Sequence, residues 1–390
     1  MAHPGLLANA AARTLSPYVP GKPISELERE YGVHDIVKLA SNENNWGPSP
    51  AVLAALQAAL PEVWLYPDGS SHDLTMALAR HLDVPSHCLT LGNGSNDLLS
   101  LLAEAFLSPA TQAVYSQYAF AIYPLVIAQT GARAIQAPAF APDDARMPYG
   151  HDLAAMAAAI TPETRLVFIA NPNNPTGTWV EPDALQRFIE QAPSSTLIVL
   201  DEAYLEYGRE AGRIPDSLPW RERHPNLVVL RTFSKAYGLA GVRVGYALSH
   251  PEVADVLNRL RPPFNVNSLA QAGAIAALAD QDYMRRHVTI TGSERRRLDA
   301  ALRAAGFGVA PSAANFLLVQ VGPEAATIYE ALLRAGVITR PVAGYGLKQH
   351  LRISIGRPEE NDRLLAALAP WAPQARRAAA AAGGQEGVQS

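Results

Sequence analysis

One cysteine, Cys88, in 390 residues excludes an intrachain disulfide and any thiolate metal cluster built within the chain. No window approaches the roughly 18 unbroken apolar residues of a membrane-crossing helix, so no span is expected. Charge of one sign is missing too: 32 Lys and Arg face 36 Asp and Glu, a net charge of −4, which gives no electrostatic ground to expect nucleic acid or an anionic membrane as partner. G-x-x-x-x-G-K-[ST] is absent, since Gly21-Lys22 runs into Pro23, and phosphoryl transfer by a P-loop drops out. The opening MAHPGLLANAAARTLSPY has neither a basic n-region nor a continuous apolar stretch. A secretory leader is therefore not expected, and a reducing cytoplasmic location is.

What is present is apolar and alternating. Hydrophobic residues make up 48% of the chain and charged ones 17%, enough for a sizeable core. RLVFIA (165–170), TLIVLD (196–201) and NLVVLR (226–231) are short and rich in β-branched residues, as buried parallel strands are. Helical patterns lie between them, such as EPDALQRFIEQA with Leu185, Phe188 and Ile189 on one face. This alternation predicts an α/β fold with a doubly wound, mostly parallel sheet. Past the alanine-rich helix SLAQAGAIAALADQ come NFLLVQV, GVITRP and HLRISIG, which predict a smaller α+β unit. The expected division is an N-terminal arm and part of the small domain over 1–45, a large domain over 46–265, a small domain over 266–372 and a frayed tail over 373–390.

Four polar features sit at the ends of predicted strands. GNGSND (92–97) follows one strand and opens a helix, so the amides of Ser95 and Asn96 suit a phosphate. By itself it reads more readily as a capped strand–helix turn, and Asp97 stands where the dinucleotide pattern needs a third glycine. ANPNNPTG (170–177) is a rigid loop offering Asn173 and Asn174, or a plain turn. LIVLDEAY (197–204) puts Asp201 at a strand end, where ligands of open α/β sheets bind. TFSKAYGLAGVRVG (232–245) carries Lys235 among small, uncharged residues. An anion cradle, a buried carboxylate, a fixed amide and a lysine together are what pyridoxal phosphate requires.

At this point the chain resembles a known family. NPNNPTG, DEAY and S-K-A-Y-G-L-A-G-x-R-x-G, in this order, resemble the fold-type I pyridoxal-phosphate aminotransferases. The likeness also takes in SPYVPGKP (16–23) and LASNEN (39–44), while LYPDG (65–69) and PFNVNS (263–268) are similar more narrowly to the histidinol-phosphate aminotransferase branch. The resemblance implies that Lys235 holds the cofactor as a Schiff base and then moves the substrate's proton. It implies that Asp201 faces the pyridine nitrogen, that Asn174 and Tyr204 meet the phenolic oxygen, and that Phe120 stacks on the ring. Ser95, Asn96, Thr232, Ser234 and Arg243 would hold the phosphate. Tyr66 would reach it from the partner subunit, which makes a homodimer with shared active sites the expectation.

For the substrate, strand alternation in HLRISIG separates Leu351, Ile353 and Ile355 from Arg352 and Ser354. The resemblance makes Arg352 the partner of a substrate carboxylate or phosphate and places Arg340 and Tyr18 near the phosphate; no metal is implied. The expected reaction converts L-histidinol phosphate and 2-oxoglutarate to imidazole-acetol phosphate and L-glutamate, as in histidine biosynthesis. An aromatic amino-acid aminotransferase and a threonine-phosphate decarboxylase are the neighbouring readings. Two departures stand out. Asn45-Trp46 occupies the place of the family's usual Pro-Leu in NENPLG, and Phe120 stands where tyrosine is common.

Overall fold

The computed structural model describes residues 20–373 continuously, and before them Gly5, Ala8, residues 10–15 and Pro17. The expected tail beyond residue 373 and Tyr18 lie outside the described residues. In chain order the strands are β1 (Val37–Lys38), β2 (Leu89–Gly92), β3 (Gln112–Ser116), β4 (Arg133–Ala137), β5 (Thr164–Ala170), β6 (Leu197–Asp201), β7 (Leu227–Thr232), β8 (Gly245–Leu248), β9 (Gly308–Val309), β10 (Phe316–Gln320), β11 (Val337–Ile338), β12 (Arg340–Pro341) and β13 (His350–Ser354).

A seven-stranded sheet in the order β2-β8-β7-β6-β5-β3-β4 is the main scaffold. Its strands run parallel except β8, which pairs antiparallel with both β2 and β7. Successive residues of one strand serve opposite faces: Val167 and Ile169 of β5 join one core cluster, Leu166 and Phe168 the other. Helices cover both faces, which is why these strands are continuously apolar rather than alternating. Each fully buried aliphatic or aromatic side chain here contributes roughly 1.5–3 kcal/mol over leaving it in water. Helix Ser268–Ala279 also belongs to this core, where Ala270, Ala274 and Ala277 join the cluster of Leu239 and Val266. Its Gly273 lets the Leu56 side chain approach closely; a Cβ there would lie 3.0 Å from Leu56 Cδ2.

A second sheet, β12-β13-β10-β9, is antiparallel throughout. Leu317, Val319, Leu351 and Ile353 share a core with Leu298 and Leu302 of helix Gln281–Ala304 and with Leu364 and Leu368 of helix Pro358–Leu368. GVITRP is not one strand: Thr339 interrupts it, so β11 pairs with β1 while β12 pairs with β13. Through the pair Val37↔Val337 the N-terminal segment is stitched to the C-terminal part of the chain. From there residues 39–48 cross toward the large sheet, and this crossing closes one side of the site.

Candidate active site

The carboxyl ends of β2, β5, β6 and β7 lie on one edge of the large sheet, because antiparallel β8 brings its first residue to that edge. Gly245 is registered against both Gly92 and Thr232. A Cβ on Gly245 would stand 2.6 Å from the Ser95 amide nitrogen, so only glycine lets helix Ser95–Phe106 begin this close to the sheet. Gly94 at its N-cap has φ +84° and supplies no side-chain cap, and a Cβ there would collide with the Arg243 guanidinium. The first amides of this helix thus face outward without a cap, with the positive end of the helix dipole behind them.

These ends enclose a cavity of about 180 Å³. Of the fourteen residues expected to form the site, twelve line it: Ser95, Asn96, Phe120, Asn174, Asp201, Tyr204, Thr232, Ser234, Lys235, Arg243, Arg340 and Arg352. Tyr66 does not; it is 83% exposed and stacks on Phe264, their ring centroids 4.8 Å apart. Tyr18 lies outside the described residues.

At the anion end, Arg243 donates to Ser234 Oγ at 3.3 Å and to the Ala240 carbonyl at 3.0 Å, and Thr232 Oγ1 accepts the Ser234 amide at 3.1 Å. Arg243 itself sits at φ +61°, in the left-handed region that costs a non-glycine residue about 1 kcal/mol or more. That strain turns its side chain back from the chain toward the helix start. Eight residues from Lys235, Arg243 returns to the same cavity through the turn at Gly238, which has φ +71° and lies against the Gly47 carbonyl.

Opposite stands Asp201, 5% exposed. Its Oδ2 accepts the Tyr123 hydroxyl at 2.9 Å and its Oδ1 the Ala203 amide at 3.2 Å. Burial pushes this carboxyl up to about 6, with the two donors and Lys235 opposing and Glu202 assisting. Lys235 is partly buried; its Nζ donates to the Ser41 carbonyl at 3.3 Å and lies 5.6 Å from the centre of the Tyr204 ring. The Tyr204 hydroxyl accepts from Asn42 Nδ2 at 2.9 Å. Asn42 in turn takes Ser354 Oγ on its Oδ1 at 3.0 Å, which joins the crossing segment to the end of β13.

Arg352 is 7% exposed, and its face of β13 is the wall of the cavity rather than open surface. Its guanidinium reaches Asn174 Oδ1 and the Ala40 carbonyl, both at 2.5 Å. Holding Asn174 by its oxygen turns the amide nitrogen away from Arg352. Arg340 lies beside it, in register across the β12–β13 pair. Tyr123 is a contribution that no quoted motif contains, and Ser41 and Asn42 lie within LASNEN but had no role assigned to them. A tyrosine in the apolar run YAFAIYPLVI reads as core, and its only signal is the three-residue step from Phe120, one helical turn on.

Asn45 and Trp46 do not line the cavity. Asn45 donates to Glu360 Oε2 at 2.6 Å, and Arg357 donates to the Asn45 carbonyl at 3.0 Å. Trp46 packs between His287, 5.2 Å away, and the Arg357 guanidinium at 5.2 Å. The departure thus serves as a clasp to helix Pro358–Leu368.

Uncapped amides, two hydroxyls and a guanidinium at one end fit a phosphate. A buried carboxylate at the other fits a protonated ring nitrogen, Phe120 offers an aromatic face, and a lysine amine lies between. The residues therefore fit a phosphorylated pyridine aldehyde. No group of three or more metal-ligating side chains occurs among the described residues.

Comparison with known proteins agrees with this arrangement. The family described as aminotransferase class I and II matches residues 34–368. The chain is 54% identical over 366 residues to histidinol-phosphate aminotransferase 2 of Pseudomonas aeruginosa, covering 93% of this chain and 96% of that one. It is 51% identical to histidinol-phosphate aminotransferase 1 of Nitrosococcus oceani, with the same coverage. Among solved structures, histidinol-phosphate aminotransferase from Sinorhizobium meliloti in complex with pyridoxal-5'-phosphate superposes with a TM-score of 0.83. The two are 34% identical, over 94% of this chain and 98% of that one.

Proposed function

The chain belongs to the aminotransferase class I and II family, and from that premise we propose that it is a pyridoxal-phosphate-dependent histidinol-phosphate aminotransferase. It interconverts L-histidinol phosphate and 2-oxoglutarate with imidazole-acetol phosphate and L-glutamate, the amino-transfer step of histidine biosynthesis. The observation that carries this reading is the cavity's charge layout. Lys235, the anion cradle, Asp201 and two further arginines, Arg340 and Arg352, all line one cavity. That second cationic pole suits amines with a distal anion, as histidinol phosphate and glutamate both are.

When bound, pyridoxal phosphate supplies an electron sink for the substrate's Cα. Ser95, Asn96, Thr232, Ser234 and Arg243 would hold its phosphate, Phe120 would face its ring, and Asn174 and Tyr204 would meet its phenolic oxygen. Asp201 keeps a negative charge beside the ring nitrogen. Lys235 would anchor the cofactor, and its Nζ would hold the proton taken from the substrate's Cα. Arg352 and Arg340, which line the same cavity as Lys235, would fix the substrate's anionic end.

The proposal includes a homodimer in which Tyr66 reaches the partner's phosphate site. The exposed apolar run Leu60, Val63, Trp64, Leu65 and Tyr66 supports it, because such patches seldom face water in a monomer. It also includes a large and a small domain, with the boundary moved from residue 266 to beyond helix Ser268–Ala279, whose Ala270, Ala274 and Ala277 pack in the large core, and a cytoplasmic location. No helix among the described residues is long and apolar enough to cross a membrane. The test is a coupled assay in which histidinol phosphate and 2-oxoglutarate yield glutamate. Lys235→Ala should abolish turnover and covalent attachment of the cofactor. An active Lys235→Ala protein would refute the assignment.

A further inference from the structure

Tyr123 belongs to no motif, yet its environment is the most constrained in the site. It lies on helix Ile122–Gln129 with none of its surface exposed. Its ring stacks nearly parallel on Phe168, with centroids 4.9 Å apart and planes 12° apart, and meets Phe120 edge-on at 5.9 Å and 89°. The hydroxyl therefore has one place to go, Asp201 Oδ2 at 2.9 Å. The direction of that bond is settled by chemistry. Burial, then Asp201 itself, raises the Tyr123 hydroxyl well above its ordinary value, so it stays protonated and donates.

Asp201 has few other supports. Its second oxygen takes only the Ala203 amide, at a longer 3.2 Å, while the adjacent Glu202 charge works against its ionisation and Lys235 works for it. Glu202 is itself held by Arg231 at 2.8 Å, which blunts that repulsion. A carboxylate in such a site needs a donor to remain charged, and it needs a fixed rotamer to aim its free lone pairs. The Tyr123 hydroxyl supplies both, from an aromatic cluster that also carries Phe120.

We propose that Tyr123 is a positioning residue for the cofactor, whose hydroxyl holds Asp201 ionised and turned toward the pyridine nitrogen. This rests on the function proposed above. Phe120 and Tyr123 then act as one unit: the first sets the plane of the ring, and the second sets the charge at the ring's nitrogen edge.

The test uses pyridoxal phosphate labelled with 15N in the ring, bound to the full-length protein. Tyr123→Phe removes one oxygen and keeps the stacked ring, whereas Phe168→Leu disturbs the packing and keeps the hydroxyl. In the wild type the ring nitrogen should show the chemical shift of a protonated pyridine. Tyr123→Phe should move it toward the unprotonated value and raise the dissociation constant of the cofactor about tenfold. Phe168→Leu should lower thermal stability and leave the nitrogen shift in place. A wild-type shift in Tyr123→Phe, with cofactor affinity within about twofold, overturns the inference. An equal displacement in Phe168→Leu does the same, because packing rather than the hydroxyl would then be responsible. Failure of the wild type to bind the cofactor at Lys235 would instead overturn the proposed function.

Discussion

Asp201 is a carboxyl that must be charged where charge is unfavourable, and the apoprotein's stability should record it. Its unfolded value is near 3.8 and its folded value is pushed up to about 6. Between those values the folded chain retains a proton that the unfolded chain has released, so stability falls as pH rises through this window. Above about pH 6 the full penalty is present, roughly 3 kcal/mol for two pH units of displacement. Asp201→Asn should therefore stabilise the cofactor-free protein at pH 8 by up to about 3 kcal/mol and make little difference near pH 4, while weakening cofactor binding. Urea titrations at the two pH values check this. Arg352 is the converse case, a buried cation on the cavity wall that suits a substrate anion. Arg352→Ala should weaken glutamate and histidinol phosphate by about 2 kcal/mol or more, read from substrate dependence in single-turnover kinetics. Residues of this kind were legible because lysine, aspartate and arginine in low-charge strand-end loops need a reason to be there. Tyr123 was not, because a tyrosine in an apolar run looks the same whether or not it touches a catalytic group; Asn42 lay within LASNEN, but the motif did not reveal its bond to Tyr204.

Three of the large sheet's strands, β5, β6 and β7, could be read from their apolar runs, because burial on both faces leaves only one kind of residue to choose. The antiparallel strand β8 could not. Gly-Tyr-Ala-Leu follows directly on the lysine motif and has no run of its own, yet its Gly245 brings the phosphate-end helix to the sheet. The break at Thr339 was hidden for a similar reason, since a strand that changes partners keeps one hydrophobic pattern. The loop after Lys235 depends on Gly238, whose positive φ and contact with the Gly47 carbonyl both exclude a side chain. Gly238→Ala should destabilise the protein by about 2 kcal/mol or more and impair cofactor attachment, measurable by thermal melting and by the absorbance of the reconstituted protein. On the other side of the crossing segment, Asn45 meets Glu360, which also caps helix Pro358–Leu368. Asn45→Ala should cost about 1–2 kcal/mol in urea unfolding, because the lost bond has a charged acceptor. Asn44 donates to the Ala236 carbonyl at 2.9 Å, so this clasp is continuous with the lysine loop.

Over the whole molecule, the site lies where the large sheet's edge, the crossing segment and the small sheet meet, and composition alone could not have placed it there. The alternation of strands and helices showed a doubly wound sheet, but the pairing of β1 with β11 joins residues 300 positions apart and leaves no local signal. Among the described residues, Trp64, 79% exposed, and Tyr66, 83% exposed, are the most exposed large hydrophobic side chains. Sedimentation should find a dimer, and Trp64→Glu should shift it toward monomer and weaken cofactor retention as the Tyr66 contribution is lost. The central claim, amino transfer from histidinol phosphate at Lys235, is tested most directly by a single turnover. The pyridoxal-phosphate-loaded protein is mixed with histidinol phosphate in the absence of any oxo acid, beside parallel samples with phenylalanine, tyrosine and threonine phosphate. Histidinol phosphate should release one equivalent of imidazole-acetol phosphate per chain in a rapid burst, then stop until 2-oxoglutarate is added, with the aromatic amino acids slower. A burst from phenylalanine or tyrosine with none from histidinol phosphate, or carbon dioxide from threonine phosphate, would contradict it.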